Sequence, residues 1–475
     1  MLSEPLRNNL HLLWRAGFGP ATVQWQQLFR SKPDALFKAL EKASAKAPIP
    51  FQLVNAAVDE SMQVGAGNRG SELTPEQRRE MQQRSRQYIR SLNFEWMQEM
   101  ERSEQQLREK MAFFWHGHFA CRSFNALYQQ RLINTIRTHA LNDFGTLLRE
   151  VSRSAAMLAF LNNQQNRKQR PNENFAREVM ELFTMGRGNY TEQDIKEAAR
   201  AFTGWQFQRN GEFIFRPNLH DAGSKTIFGK TGNFSGDDVL NMLLERRETA
   251  QFLTKKIYRF FVHETVPEER VQQLAHRFYQ SGYQISTLLR DIFTAPWFYA
   301  AENQGNRVKS PIELLVGIRR SLPMHFSGPE IQLLVQRILG QVLFYPPSVA
   351  GWSGGLSWID SSTLMYRLRI PQLLAGSDVL QLNLKSDDDV EMGRGMRRNE
   401  IAAQTRVTIQ WNEVYKQLQP VADQNLSTYL STLFLPALGT GVEQVAQAFA
   451  DTSTRERQIQ TTILRLMATP EYQLC

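Results

Sequence analysis

Four short phrases spread along the chain constrain its fold more than any other feature. Thr74-Pro75-Glu76-Gln77, Thr191-Glu192-Gln193-Asp194, Ser235-Gly236-Asp237-Asp238 and Ser310-Pro311-Ile312-Glu313 each set a hydroxyl three residues before an acid or amide. At that spacing the hydroxyl can accept a backbone N–H and the later side chain can bond back, an exchange that satisfies the free donors at a helix start. Pro75 and Pro311 occupy the first helical position, where no N–H is needed. Apolar residues then recur at helical spacing, as with Phe252, Leu253, Ile257, Phe260 and Phe261 in residues 249–262. The pattern predicts a mainly α-helical protein, a large multi-helix, bundle-like fold with long irregular loops and a small β-hairpin.

Between the helix signals the chain divides into stretches of different character. Residues 1–72 read as two short helices interrupted by Gly17-Phe18-Gly19-Pro20, then an exposed connection over 46–72. Residues 73–203 form a central helical region, with an amphipathic helix resuming at 173–184. From 204 to 236 the periodicity gives way to an irregular loop or hairpin, and 237–384 is a second helical region. Inside it, Phe344 to Trp358 cannot be an ordinary helix, because Pro346-Pro347 remove donors and Gly351, Gly354 and Gly355 permit close turns. Residues 385–400 read as a charged loop. Residues 401–475 return to helices at 401–417, 425–434, 442–450 and 453–467. Phe293-Thr294-Ala295-Pro296-Trp297-Phe298 and Leu466-Met467-Ala468-Thr469-Pro470-Glu471-Tyr472 end two helical stretches alike.

A chain of 475 residues buries roughly 75% of its extended surface, so its stability requires no metal or disulfide. Two cysteines, Cys121 and Cys475, exclude a disulfide-rich scaffold. The net charge of +9 favours acidic partners, with Arg149, Arg153, Arg167, Lys168 and Arg170 as the densest basic neighbourhood. Nucleic acid is not the expected partner, because zinc-finger spacing, RNA-recognition signatures and zipper heptads are absent. Gly229-Lys230-Thr231 lacks the upstream glycine of a phosphate loop. No transmembrane segment is read, and Met1-Leu2-Ser3-Glu4-Pro5 is not a basic leader. The visible terminus implies the cytoplasm; a leader removed upstream would imply the periplasm.

Chemistry concentrates in three places. Phe114-Trp115-His116-Gly117-His118-Phe119 packs two imidazoles among aromatics. In a regular helix His116 and His118 would point about 200° apart, so joint ligation needs a distortion at Gly117. Glu178 sits beside the apolar face of the 173–184 helix, with Glu181 one turn on. His220-Asp221 adds an imidazole and a carboxylate in a glycine-rich loop, and Lys225 a cation for an anionic small molecule. Together His116, His118, Glu178 and His220 make a candidate ligand set for a divalent metal such as zinc or iron. Glu181 or Asp221 would then serve as base to a bound water, with Arg177 or Lys225 steadying negative charge. With iron, redox or oxygenase chemistry becomes open as well. The plain structural alternative is that Arg177 and Arg200 pair with Glu178 and Glu181 and each histidine serves a helix junction.

These segments also carry a family resemblance. Leu12-Leu13-Trp14-Arg15-Ala16-Gly17-Phe18-Gly19, the Phe114–Phe119 phrase, Glu173 to Gly186, Asn189-Tyr190-Thr191-Glu192 and Ala198 to Trp205 are landmarks of it. So are His220-Asp221, Lys225, Val308 to Leu314 and Pro346 to Trp352. In these the chain resembles, over nearly its whole length, the bacterial family of proteins of unknown function numbered 1800 (DUF1800). The resemblance implies a largely helical fold and, because members are often exported and encoded beside alkaline-phosphatase- and sulfatase-like proteins, a periplasmic partner role. Two functions are therefore expected. One is a metal-dependent hydrolase or other metalloenzyme whose pocket Trp205 or Trp352 helps to close. The other is a non-catalytic accessory protein acting with a phosphatase- or sulfatase-like partner through its basic surface or the 385–400 loop.

Overall fold

Each of the four sequence phrases opens a helix by the predicted exchange of bonds. Helix α1 (Glu4–Ala16) begins the described chain, and α2 (Pro75–Arg102) starts on Thr74, whose hydroxyl accepts the Gln77 N–H at 3.2 Å while Gln77 Oε1 accepts the Thr74 N–H at 2.9 Å. Helix α3 (Gln106–His118) follows, and Thr191 caps α4 (Glu192–Ala201). Ser235 caps α5 (Gly236–Glu245), which leads into α6 (Arg247–Phe261). Ser310 caps α7 (Pro311–Ser321) with Glu313 as its reciprocal partner. Asp360 and Thr363 supply a further box, not read from the sequence, that opens α8 (Ser361–Leu374). The computed structural model describes residues 4–54, 74–327, 330–376, 407–435, 444, 448 and 450–475. The connection expected over 55–72, the charged loop at 385–400 and nearly all of the 442–450 pattern lie outside the described residues.

Strands are few and short. The 204–236 stretch holds two antiparallel hairpins instead of one: β1 (Trp205–Phe207) pairs β2 (Phe213–Phe215), and β3 (Lys225–Ile227) pairs β4 (Lys230–Gly232). A third pair joins β5 (Met324–Phe326) to β6 (Val407–Ile409), with Met324 opposite Ile409. This corrects the helix expected over 401–417: among the described residues of that span the helix begins at Trp411 and runs to Leu418, and Val407 and Ile409 complete a ladder whose partner lies some eighty residues earlier. The amphipathic helix expected at 173–184 is corrected too. It is α-helical only at Asn174–Glu178 and widens to a π-helix at Val179–Met185. There the Thr184 hydroxyl donates to the Val179 carbonyl at 2.6 Å, which occupies an acceptor that a tighter turn would have used. The amino-terminal stretch breaks at Gly17–Pro20 as expected but makes more pieces, ending in a helix at Pro33–Ser44.

The buried apolar side chains from Leu6 to Cys475 form one contiguous cluster, and α3 runs through it. Every residue of α3 except Gly117 is buried. A helix enclosed on all sides must satisfy its charges internally. Glu109 accepts from Arg137 Nη2 at 2.8 Å and Trp96 Nε1 at 2.9 Å, and Lys110 donates to Glu313 of α7 at 2.5 Å. These bonds fix where α3 ends, and its end forms the site.

Candidate functional site

At the end of α3 the two histidines take opposite roles. The Phe344 N–H donates to His116 Nε2 at 3.1 Å, so that nitrogen is unprotonated. Trp96, Phe344 and Trp352 rings surround it, and burial holds its pKa down at about 3. His118 Nε2 lies 3.1 Å from the Phe183 carbonyl, which can only accept, so the proton sits on Nε2. Phe183 belongs to the π-helix, near whose end carbonyls lack helical partners. His118 Nδ1 is left buried with no hydrogen-bond partner. Burial, then the charge of Lys256, depress the His118 pKa well below its usual value, and the Phe183 bond opposes them only in part.

The other residues expected in the site are held elsewhere. Glu181 bonds the Tyr190 hydroxyl and Arg187; burial would raise its pKa, but these two partners hold it below the usual range. The half-buried Glu178 is pushed the other way, by burial and by the neighbouring charge of Glu181. Arg177 binds Glu192 at 2.7 and 2.8 Å and Glu173 at 3.2 Å rather than either of these acids. His220 Nδ1 meets the Thr203 carbonyl at 2.9 Å, and Asp221 accepts from Arg200 at 2.7 Å. Lys225 Nζ clasps its own loop through the Asp221 and Gly223 carbonyls at 2.5 and 3.0 Å. Among the described residues no three His, Cys, Asp or Glu side chains group so as to hold a metal ion. Neither arginine pairs with Glu178 or Glu181 as the ion-pair alternative expected: Arg200 takes Asp221 and Glu197, and Arg177 takes Glu173 and Glu192.

His118 and Trp352 do come together, in a cavity of about 290 Å³ beside Gly117. The Phe344-to-Trp358 segment walls one side. It approaches so closely that a Cβ on Gly351, whose φ is +78°, would lie 2.5 Å from the Gly117 carbonyl oxygen. Gly117 itself has open space where its Cβ would stand. Phe113, Phe114, Phe260, Trp352 and Trp358 make much of the lining aromatic. Its polar side carries Lys256, Arg259 and Arg307 against Glu264 and Glu313. Lys256 and Arg259 project from α6 three residues apart, and neither has a hydrogen bond or ion pair among the described residues. Burial pushes the Lys256 ammonium down to about 8.

Beneath the cavity lies a buried charge cluster centred on Glu313. This carboxylate accepts from Lys110 at 2.5 Å, from the Arg307 fork and from the Ser310 N–H at 2.8 Å. Burial alone would raise its pKa; Arg307 and Lys110 instead hold it far below the usual range. Lys309 lies 3.6 and 3.8 Å from the ring centroids of Trp14 and Tyr472, where burial lowers it to about 7. Arg15 and Arg367, both inaccessible, keep nitrogens without partners. Glu313 opposes all these cations, the charge at Cys475 most of them and Glu264 only Arg15 and Arg307, so the cations outnumber the acids. The cavity is therefore electropositive, with aromatic walls.

Sequence reasoning read α6 only as an apolar stripe and passed over Lys256 and Arg259. The available signal was the i, i+3 placement of two cations on the flank of a buried stripe with no acid at helical spacing within 249–262. A model of the family described as "Protein of unknown function (DUF1800)" matches residues 11–474. No curated protein matches the chain, and no solved structure does. With the family landmarks lying on the helix starts and on the cavity walls, and the match spanning nearly the whole length, the chain belongs to the DUF1800 family.

Proposed function

We propose that the cavity at the end of α3 receives a small anionic molecule with an aromatic or apolar body, and that the protein acts on it as an enzyme. The observation that carries this reading is the placing of Lys256 and Arg259, two cations without an ion-pair partner among the described residues, against an aromatic wall, in a lining where Glu313 is already taken by Lys110 and Arg307 and Glu264 is the other acid. Arg259 is exposed at the mouth, but Lys256 is desolvated, and a desolvated cation left without an acid is unfavourable unless something else supplies the negative charge. At about 290 Å³ the space is slightly below the roughly 300–1,000 Å³ of drug-sized ligands, which favours a compact molecule over a polymer segment. His118 belongs to the same wall, and its buried Nδ1 keeps a free lone pair. Phenylacetate is a suitable probe for equilibrium binding. Lys256→Met and Arg259→Met should each weaken it about tenfold, the scale of one lost charge-assisted bond. Unchanged affinity in both variants would overturn the reading.

A metal-dependent hydrolase using zinc or iron is a separate proposal with its own test. Purified native protein would have to carry near-stoichiometric metal that His116 and His118 variants lose without unfolding. The accessory role beside a phosphatase- or sulfatase-like partner draws support from Leu356, 79% exposed on the segment that walls the cavity. Under that reading Leu356→Ser abolishes co-purification with the partner while phenylacetate binding persists.

A further inference from the structure

Anion capture alone does not account for a lysine at the centre of this wall. Arg259 and Arg307 already line the cavity, and a guanidinium stays charged and offers a planar fork to a carboxylate. A desolvated amine is a weaker anion clamp and a better nucleophile. Resting on the reading that the cavity binds a small anion, we propose that Lys256 forms an imine with the carbonyl group of a compact aromatic 2-oxo acid whose carboxylate is held by Arg259.

Three observations support this. Lys256 and Arg259 lie one helical turn apart on α6, so their heads can reach two adjacent groups of one ligand, as the carbonyl and carboxylate carbons of a 2-oxo acid are. Lys110 is tied to Glu313 and Lys230 to Glu245, and a lysine so paired is protonated and cannot attack, while Lys225 and Lys309 are held on backbone carbonyls. Lys256 has no such partner among the described residues, and with its pKa at about 8 roughly a tenth of it is uncharged at neutral pH. His118, whose ring feels the Lys256 charge, has its Nε2–H on the Phe183 carbonyl and its Nδ1 lone pair unpartnered. That nitrogen can carry the proton that the reaction must move.

The step balances without an outside oxidant or reductant. The Lys256 lone pair attacks the carbonyl carbon, forming C–N while the C=O π electrons pass to oxygen. The ammonium proton leaves the new nitrogen through His118 Nδ1 and reaches the oxygen, giving a carbinolamine. The remaining N–H proton then passes by the same His118 nitrogen to the hydroxyl, which leaves as water while the nitrogen electrons form C=N and C–O breaks.

The test uses the full chain, phenylpyruvate as probe and borohydride to reduce any imine to a stable secondary amine, followed by peptide mass mapping. The expected adduct falls on Lys256, with occupancy at least tenfold above that of exposed lysines such as Lys230. Lys256→Arg should lose it while still binding phenylacetate. Arg259→Met should reduce trapping of phenylpyruvate about tenfold and of benzaldehyde, which has no carboxylate, far less. Adducts spread evenly over Lys256 and Lys230, or no adduct where phenylacetate binds, would overturn the imine and leave the anion reading standing. Failure of phenylacetate to bind would remove the reading beneath it.

Discussion

Glu313→Gln tests the buried charge cluster beneath the cavity most directly. The wild-type carboxylate is 1% exposed and neutralises Lys110 and Arg307, themselves 1% and 6% exposed. Removing one partner of a buried ion pair costs about 3–5 kcal/mol, because a charge is left uncompensated in low dielectric. Three features place this case in the lower part of that range. Lys110 keeps the Trp14 carbonyl at 3.1 Å, Arg307 keeps the Phe260 carbonyl at 2.9 Å, and a glutamine can still accept the Ser310 N–H and preserve the cap of α7. The expected loss is about 3–4 kcal/mol, or two to three powers of ten in the folding equilibrium. Urea unfolding followed by tryptophan fluorescence reads it, since Trp14, Trp96 and Trp115 are all buried in the same core. Adding Lys110→Met to Glu313→Gln removes one stranded cation and should recover part of the loss. A loss below about 1 kcal/mol, the size of an ordinary neutral hydrogen bond, would refute the claim that this carboxylate holds the cluster together.

The same pair of proteins predicts a pH dependence. The folded pKa of Glu313 lies below its ordinary value of 4.5. Above that value the carboxylate is ionised in both states and its stabilisation is complete. Below it the unfolded chain takes up a proton that the folded protein refuses, so wild-type stability falls as pH falls towards the folded pKa. Glutamine has no such titration. The stability gap between wild type and Glu313→Gln must therefore narrow from pH 6 to pH 3, and a constant gap would contradict the assignment.

Changes around the cavity separate stability from binding. Gly117→Ala places a methyl group in open cavity space and replaces a helical glycine, so the protein should gain about 0.5–1 kcal/mol while phenylacetate binds more weakly; tighter binding would refute the placement. Gly351→Ala should weaken binding as well, but with a loss of stability in urea, because its Cβ would press on the Gly117 carbonyl and its φ is positive. His116→Ala removes the acceptor of the Phe344 N–H and should cost about 1–3 kcal/mol, with faster amide exchange confined first to residues 344–358.

Local rules carried the sequence reading where local bonds decide the outcome. Thr74 with Gln77 and Ser310 with Glu313 exchange bonds across three residues, so the helix starts were legible without knowledge of the fold. The segment after Glu178 was not. A hydroxyl at Thr184 and an imidazole from α3 act on its carbonyls, and no helical wheel contains either effect. Val407 and Ile409 likewise become a strand because Met324 to Phe326 are there to pair with, at a separation that periodicity cannot sense. For the site, residue type was a partial guide. It drew attention to His118 and Trp352, which do line one cavity, and to His116, which packs on Trp352, but it grouped the histidines with Glu178 and His220 by chemistry alone. Two of the residues that give the cavity its charge are a lysine and an arginine on the amphipathic helix α6, and nothing in their types distinguishes them from a solvated flank.

Gly117 shows how the distinction becomes physical. In a sequence, a glycine between two histidines suggests a bend that lets both rings reach one ion. In the protein α3 continues through it, the two rings diverge to Phe344 and Phe183, and the missing side chain leaves the one residue of that helix that is not buried. Its backbone meets Gly351, and its empty side opens on the cavity that Lys256 and His118 share. The glycine therefore acts by leaving room, with the histidines as its supports: His116 fixes the wall at Phe344 and His118 fixes the end of the π-helix. A substitution that fills this space while leaving both supports intact is for that reason the cleanest separation between a cavity that serves function and one that is only a packing defect.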